Sequence, residues 1–390
     1  MATVLMYGDT VRYPALRHEI PLEIIDPLLF AARDGDAFVA SSSLEAARLA
    51  EALPGAELAT FDELGLYDLI GEGKPRDEAE LEVVTRALQR WGIDRAVVAA
   101  DLPVAVADWL RAAGVAIEVD RRAIDARRRV KTAAELEGIR RAQRAAEAGM
   151  KVAEELIHGA SREDGRLIRG ATASDGILQH DGRPLTAEIV RAAIRAECAA
   201  AGAPAPPGIM VVSLLSGGGH DPGSGPLPAD LPIEVDLWPR DEESGCWADM
   251  TRTFVGAGEV TDAVAALRDI AREALEAVRA AARPGIEGRA LYDVAAEVVE
   301  RAGHPTQRTR TPGETLTHGF YFGLGHGVGL EVHEPPALGL GGGETLVAGD
   351  VIAVEPGIEG IEGIGGVRFE DLLLITQEGS ETLTRYRYDL

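Results

Sequence analysis

The hardest constraint in this sequence is a set of acids placed where water should be absent. Asp236 sits inside Ile233-Glu-Val-Asp-Leu-Trp238, Glu355 ends the run Val351-Ile-Ala-Val-Glu-Pro-Gly357, and Glu370 follows Gly366-Val-Arg-Phe369. These are strand-like apolar stretches. An ionised carboxylate inside one is costly to bury without a partner. Asp249, in Ala248-Asp-Met-Thr-Arg-Thr-Phe254, and His326, in Gly323-Leu-Gly-His-Gly-Val-Gly329, stand in similar contexts. Any one of these acids alone reads as a strand-end acid or half of a salt bridge. All five residues together, with few basic residues nearby, point to a shared cation. Four carboxylates and one imidazole suit two divalent ions, because carboxylates can bridge and their charge balances two M²⁺ with a hydroxide to spare. Oxygen-rich ligation with one nitrogen fits Mn²⁺, Co²⁺ or Zn²⁺ better than a thiolate site would. A two-metal centre acidifies a bound water and polarises a carbonyl, which is hydrolytic chemistry.

Composition narrows the setting. The chain has 390 residues, enough for two domains, and a formal net charge of -25. That charge argues against nucleic acid, which needs a basic stripe, and against an anionic membrane surface. Cys198 and Cys246 are the only cysteines, so no disulfide scaffold is expected and a reducing compartment is. The opening MATVLMYGDTVRYP lacks the basic and apolar regions of a signal peptide, and no apolar run is long enough to span a membrane. The expected location is the cytoplasm.

Two patterns divide the chain. Over residues 1–127, β-like runs at Thr3–Met6, Ala37–Val39, Ala96–Ala99 and Val115–Val119 alternate with helical runs at Ser43–Leu53 and Glu78–Arg90. This predicts an α/β domain with a partly parallel sheet. It shows no phosphate loop and no clustered His or Cys, and reads as structural or oligomerising. Arg127-Arg128-Arg129 reads as a solvated turn at the boundary, and Thr132-Ala-Ala-Glu135 as a capping box opening a long helix to about Ile157. Residues 128–390 read as α+β. Helices are predicted near Thr186–Ala201, Asp262–Ala282 and Arg289–Ala302. Strands are predicted at Gly208–Leu214, Ile233–Leu237, Ala248–Val255, Phe320–Leu324, Val351–Glu355, Gly366–Ile375 and Glu381–Arg385. The order helices, strands, helices, strands suggests two halves of similar design.

The ordered set V-D, D-x-T-R-T-F, G-H-G-V-G-L-x-V-H-E, V-E-P-G and G-V-R-x-E-D, spread over residues 128–390, resembles the pita-bread metallopeptidases. That group contains aminopeptidase P, prolidase, methionine aminopeptidase and creatinase. The first domain resembles, more weakly, the N-terminal domain of the aminopeptidase P, prolidase and creatinase branch. Methionine aminopeptidases usually lack such a domain. The resemblance implies a pita-bread catalytic domain, a homodimer, and two metal ions, most naturally Mn²⁺. It implies that Asp236 holds one ion, His326 and Glu355 the other, and that Asp249 and Glu370 bridge both. Glu355 would also shuttle protons to the leaving amine. His220, in Gly217-Gly-Gly-His-Asp-Pro222, and His333, in Glu331-Val-His-Glu334, match the family's substrate-side histidines. Imidazole suits holding a carbonyl oxygen or a tetrahedral intermediate. Arg368 either orients ligands or substrate, or forms a plain salt bridge.

The activity so implied is cleavage before proline at a peptide N-terminus, as in an Xaa-Pro aminopeptidase. The alternatives are an Xaa-Pro dipeptidase (prolidase) or other small-amide hydrolase, and a pita-bread binding protein of weak or absent catalysis. Three departures bear on the choice. Asp236 and Asp249 are 13 residues apart, longer than in the family pattern, the extra length falling in a polar turn at Pro239–Gly245. Phe322 stands four before His326, where proline-specific members usually carry His. Residues 335–354 contain no Lys or Arg to grip a dipeptide carboxylate, which favours longer peptides unless Arg368 or a second subunit supplies the charge. The glycines at 323, 325, 327 and 329 lack the strand–loop–helix setting of a dinucleotide fingerprint, and read instead as small residues admitting close backbone approach.

Overall fold

The structure is a computed structural model that describes residues 3–169, 172–213 and 220–389. The chain forms two compact units, Met1–Arg128 and Arg129–Leu390.

The first unit is α/β. Its strands are β1 (Val4–Gly8), β2 (Leu28–Arg33), β3 (Asp36–Ser41), β4 (Glu57–Thr60), β5 (Arg95–Val98) and β6 (Ala116–Val119). They form one sheet in the order β4-β3-β2-β1-β5-β6. The β1–β2 and β2–β3 pairs are antiparallel, while β1–β5, β5–β6 and β3–β4 are parallel. The helices are α1 (Pro14–Glu19), α2 (Ala46–Ala52), α3 (Leu66–Gly71), α4 (Arg76–Arg90), α5 (Val104–Ala112) and α6 (Arg121–Arg129). Side chains alternate across a strand. Leu5, Leu29 and Ala31 therefore pack with Val83, Val84 and Leu88 of α4, while Met6, Leu28 and Phe30 pack with Leu16, Ile20 and Leu49. The three arginines at 127–129 end a helix and do not form a turn. Arg127 pairs with Glu19, Arg128 is buried and bonds Asp125, and Arg129, the first residue of the second unit, bonds Asp350 within that unit. Partners within reach turn a basic run into structural cations.

The second unit opens with α7 (Ala133–His158), whose Thr132–Glu135 capping box is formed. A hairpin of β7 (Ser161–Arg169), β8 (Thr172–His180) and β9 (Arg183–Pro184) precedes α8 (Ala187–Ala200), and β10 (Met210–Ser213), β11 (Ile233–Leu237) and β12 (Met250–Phe254) follow. Then come α9 (Asp262–Ala281), α10 (Gly288–Arg301), β13 (Gly325–Gly327), β14 (Glu334–Leu338), β15 (Val351–Val354), β16 (Gly357–Ile361), β17 (Gly365–Arg368), β18 (Asp371–Ile375) and β19 (Ser380–Thr382). Helices α7 and α8 bury Ala146, Met150, Ile157, Val190 and Ile194 against Val211, Ile233 and Val235. Helices α9 and α10 bury Leu267, Leu275, Leu291 and Val299 against Ile352, Val354, Ile358 and Leu373. Two helix pairs thus cover two sheets.

Three strand readings change, the smallest being Glu381–Arg385, of which only the start lies in β19 (Ser380–Thr382). Phe320–Leu324 is not a strand, since Phe320 and Gly319 make only isolated bridges to Thr306 and Glu359. Its apolar side chains instead serve the core beneath α10, with Phe320 stacked on Tyr292. The stretch from Gly366 to Ile375 breaks at Phe369–Glu370 into β17 and β18, and this break turns Glu370 into the cavity described below. The Gly-rich segment 214–219 lies outside the described residues.

Arg252 ties these strands together. Its guanidinium, fully buried, pairs with Asp371 at 2.9 Å, donates to the carbonyls of Thr251 and Glu370 at 2.8 Å each, and lies 4.6 Å from the Tyr388 ring centroid. Removing Arg252 leaves the buried Asp371 carboxylate, among the described residues, with only the Tyr388 hydroxyl at 2.6 Å and a long pairing to Arg279 at 3.7 Å. Arg252→Ala is expected to lower stability by about 3–5 kcal/mol, read from the urea midpoint.

Candidate active site

Strand alternation delivers the first acids. In β11, Ile233, Val235 and Leu237 are buried in the core, so Glu234 and Asp236 face the other way. Antiparallel β12 sets Thr251 opposite Asp236, with Asp249 at the entry to that strand. The polar turn joining these strands holds its shape through Asp241, which accepts from the Ser244 backbone at 2.8 Å and bonds Arg141 at 2.8 and 2.9 Å. The longer turn is absorbed at its tip, and the β11–β12 register stays regular.

His326 comes from the short central strand β13, flanked by β14 and β15. The glycines around it are sterically required. A Cβ on Gly325 would meet the Ala353 carbonyl at 2.0 Å, and one on Gly327 the Pro335 carbonyl at 2.3 Å. Glu355 leaves the end of β15, and Glu370 lies between β17 and β18. Lys131 and Glu334 form an ion pair with both side chains almost fully buried, which anchors the residue directly after His333.

These elements open on one cavity of about 480 Å³, lined by His220, Asp236, Asp249, His326, His333, Glu355, Arg368 and Glu370. Asp236, Asp249 and Glu370 each offer a carboxylate oxygen within 4.8 Å of the others; a ring nitrogen of His326 with oxygens of Glu355 and Glu370 forms a second such group, and an oxygen of Asp249 with ring nitrogens of His326 and His333 a third. His326 Nε2 is 3.7 Å from both Asp249 and Glu355. Its Nδ1 faces the Gly327 carbonyl at 3.1 Å, which favours the tautomer that leaves Nε2 free as a ligand. Thr251 Oγ1 donates to Glu370 at 2.7 Å, and one oxygen of Asp236 is buried without a hydrogen-bond partner. All eight site residues named from sequence line this single cavity.

The protonation equilibria show a site short of positive charge. Burial, then Asp249's carboxylate neighbours, pushes Asp249 well above the usual carboxylate range, and Glu370 likewise. Burial raises Glu355 to about 7, against the pull of Arg368. It also raises Asp236, again opposed first by Arg368. Burial, with His333 adding to it, lowers His326 to about 4, so its ring is neutral and able to bind a cation. Burial, followed by His220, lowers His333 too. Arg368 bonds Glu234 at 2.7 Å and Asp236 at 2.9 Å, and reaches Glu355 at 3.4 Å, so it forms a salt bridge and also orients two of the acids.

Residues 137–377 match the metallopeptidase family M24, more than half of the chain. The chain belongs to metallopeptidase family M24. Among relatives of this M24 chain, an Xaa-Pro dipeptidase of Pyrococcus horikoshii is 38% identical over 143 residues, 37% of each chain. One of Lactobacillus helveticus is 36% identical over 146 residues, covering 37% of this chain and 36% of the relative. The aligned stretch is therefore little more than a third of either relative's length. The prolidase structure from Pyrococcus horikoshii OT3 superposes with a TM-score of 0.73 at 23% identity, covering 99% of this chain and 94% of that one. The X-Pro aminopeptidase structure from Thermotoga maritima MSB8 gives 0.73 at 18% identity, covering 100% and 98%. These likenesses establish the pita-bread fold, an α/β N-terminal domain followed by an α+β domain. Among the described residues, no helix of this M24 chain is long and apolar enough to cross a membrane.

Sequence reasoning passed over Glu234, Glu359, Tyr321 and Trp238, which also line the cavity. Glu234 was legible: it is two residues from Asp236 in an alternating strand, hence on the same face. Glu359 was not, because a register shift within β16 makes its facing unreadable from period two.

Proposed function

We propose that this chain is a dinuclear metal-dependent Xaa-Pro dipeptidase. The observation that carries the reading is the convergence of Asp236, Asp249, His326, Glu355 and Glu370 on one cavity whose acids far outnumber its cations. The donor set fits divalent ions: acids raised by burial and then by one another, a neutral imidazole, and an orphaned oxygen on Asp236. Asp236 would hold one ion, His326 and Glu355 the other, with Asp249 and Glu370 shared, and Mn²⁺ suits this oxygen-rich set. When bound, the ions would polarise the scissile carbonyl and acidify a water. Glu355, on the cavity wall beside His326, would take a proton and return it to the leaving proline nitrogen. His220 and His333 would hold the carbonyl oxygen as charge develops on it. Arg368 keeps Asp236 and Glu355 aimed at the cavity. A cytoplasmic homodimer acting on proline-containing peptides completes the proposal.

The names of the sequence relatives favour a dipeptide over a longer peptide. One observation favours the longer peptide. Among the described residues lining the cavity, Arg368 is the only Lys or Arg, and it is engaged by carboxylates, leaving no free cation for a dipeptide's C-terminus. Turnover of Met-Pro against Met-Pro-Ala by Mn²⁺-loaded protein separates the two. Faster cleavage of Met-Pro is expected; cleavage of the tripeptide alone would make the enzyme an aminopeptidase. No cleavage of either by folded protein holding its metal would leave a binding protein.

A further inference from the structure

Two acids in the cavity have no part in the proposed ligand set. Glu234 and Glu359 both line it, and both face the Arg368 guanidinium, at 2.7 and 3.8 Å. Arg368 is shared among four carboxylates: these two, Asp236 and Glu355. Once Asp236 and Glu355 serve metal ions, one guanidinium remains for two carboxyl groups. The local hydrogen bonding carries the same imbalance. Glu359 Oε1 and Arg368 Nε are both buried, near one another, and neither has a hydrogen-bond partner. The other oxygen of Glu359 receives only a long bond, 3.4 Å, from the Tyr321 hydroxyl.

The wall beside these acids is aromatic. Trp238, Tyr321 and Phe322 line the same cavity. Phe322 occupies the position where a histidine is usual, and its ring centroid lies 5.8 Å from the Arg368 guanidinium carbon. This wall therefore already accommodates one guanidinium on a ring face. Carboxylates beside aromatic rings suit a cation on an apolar stem: the rings cover the methylenes and attract the charge, and the acids pair it.

We propose that Glu234 and Glu359, with the rings of Tyr321 and Phe322, select substrates whose residue before proline carries a cationic side chain, lysine or arginine. The inference rests on the Xaa-Pro reading above and names its substrate class. The proline ring carries no charge, so in a dipeptide the cationic side chain comes from the first residue. A cavity of about 480 Å³ is within the size range of small-molecule sites. Every Xaa-Pro peptide also carries an α-ammonium, so the decisive comparison is between side chains of similar length.

The test is kcat/KM of the Mn²⁺-loaded protein on Lys-Pro, Arg-Pro and Met-Pro. A charge-assisted contact predicts that the cationic peptides exceed Met-Pro by at least about tenfold. The double variant Glu234→Gln/Glu359→Gln should bring that ratio close to one, while Glu362→Gln, an exposed acid outside the cavity, should leave it as in the parent. If the double variant does not fold, Glu359→Gln alone should lower the ratio. Equal turnover of Lys-Pro and Met-Pro by the parent overturns the proposal and leaves the Xaa-Pro reading intact. If no Xaa-Pro peptide is cleaved, that reading fails instead, and calorimetric binding of Lys-Ala against Met-Ala decides the subsite. Tighter Lys-Ala binding supports it, and equal affinities overturn it.

Discussion

Glu370→Ala, or Asp249→Ala, is expected to leave less than about 1% of parental activity and to abolish tight metal binding. Changing a residue that only supports a ligand already costs 10–100-fold in affinity or activity, so loss of a proposed bridging ligand should cost more. Both residues are at most 5% exposed, and each stands in a group of three donors on the cavity wall. Burial, and then the surrounding carboxylates, makes each costly to ionise, so removing one takes away a poorly accommodated acid from the metal-free protein. The expected pattern is therefore unusual: near-complete loss of metal and activity without loss of metal-free stability. Metal content after gel filtration, together with urea unfolding of the metal-free variant, checks it. Full activity in either variant would falsify the bridging assignment.

The second large effect is the response of stability to pH and metal. In the metal-free protein, burial raises Glu355 from its ordinary 4.5 to about 7, and Glu234 from 4.5 to about 8. The folded state then holds protons that the unfolded chain has already released. At these two acids the unfolded state binds fewer protons across that window, so their contribution to stability falls as pH rises from about 4.5 toward about 8, opposed below pH 6.5 by His326, which the fold holds neutral. Below it both states are protonated, and the contribution is fully present. A divalent ion held by Glu355 would displace its proton, so the ion's stabilisation should grow with pH and reach about 4 kcal/mol at a thousandfold excess over Kd. Thermal melts at about pH 5 and about pH 8, with chelator or with Mn²⁺, measure both effects. Metal-free protein as stable at the higher pH as at the lower would show that these acids do not hold protons in the fold. A Mn²⁺ shift no larger at the higher pH would show that the ions do not displace them.

Much of the site was legible because strand chemistry is periodic. Asp236 is readable from Ile233-Glu-Val-Asp-Leu237: three apolar side chains fix one face to the core, leaving the acids on the other. The capping box at Thr132 likewise announced the start of α7 from its own spacing. Where local pattern competed with distant packing, the reading changed. Phe320–Leu324 has strand-like composition, but Tyr292 and the core beneath α10 supply its contacts. Arg127–Arg129 looks like a solvated turn until Glu19, Asp125 and Asp350 come within reach.

The sequence by itself determined the identity and order of the candidate ligands, the two-part organisation and the excess of acid over base. These follow from which residues are present and from rules acting over a few positions. Only the tertiary structure decided what those acids face. Arg368 could be a salt bridge or an orienting group from sequence, and the fold makes it both, shared by Glu234, Asp236, Glu355 and Glu359. Glu359 joins the cavity through an irregular strand pairing that no period predicts. The physical reason is that a carboxylate's role depends on the charges within about 4–6 Å of it, and in this fold those neighbours come from strands far apart in the chain.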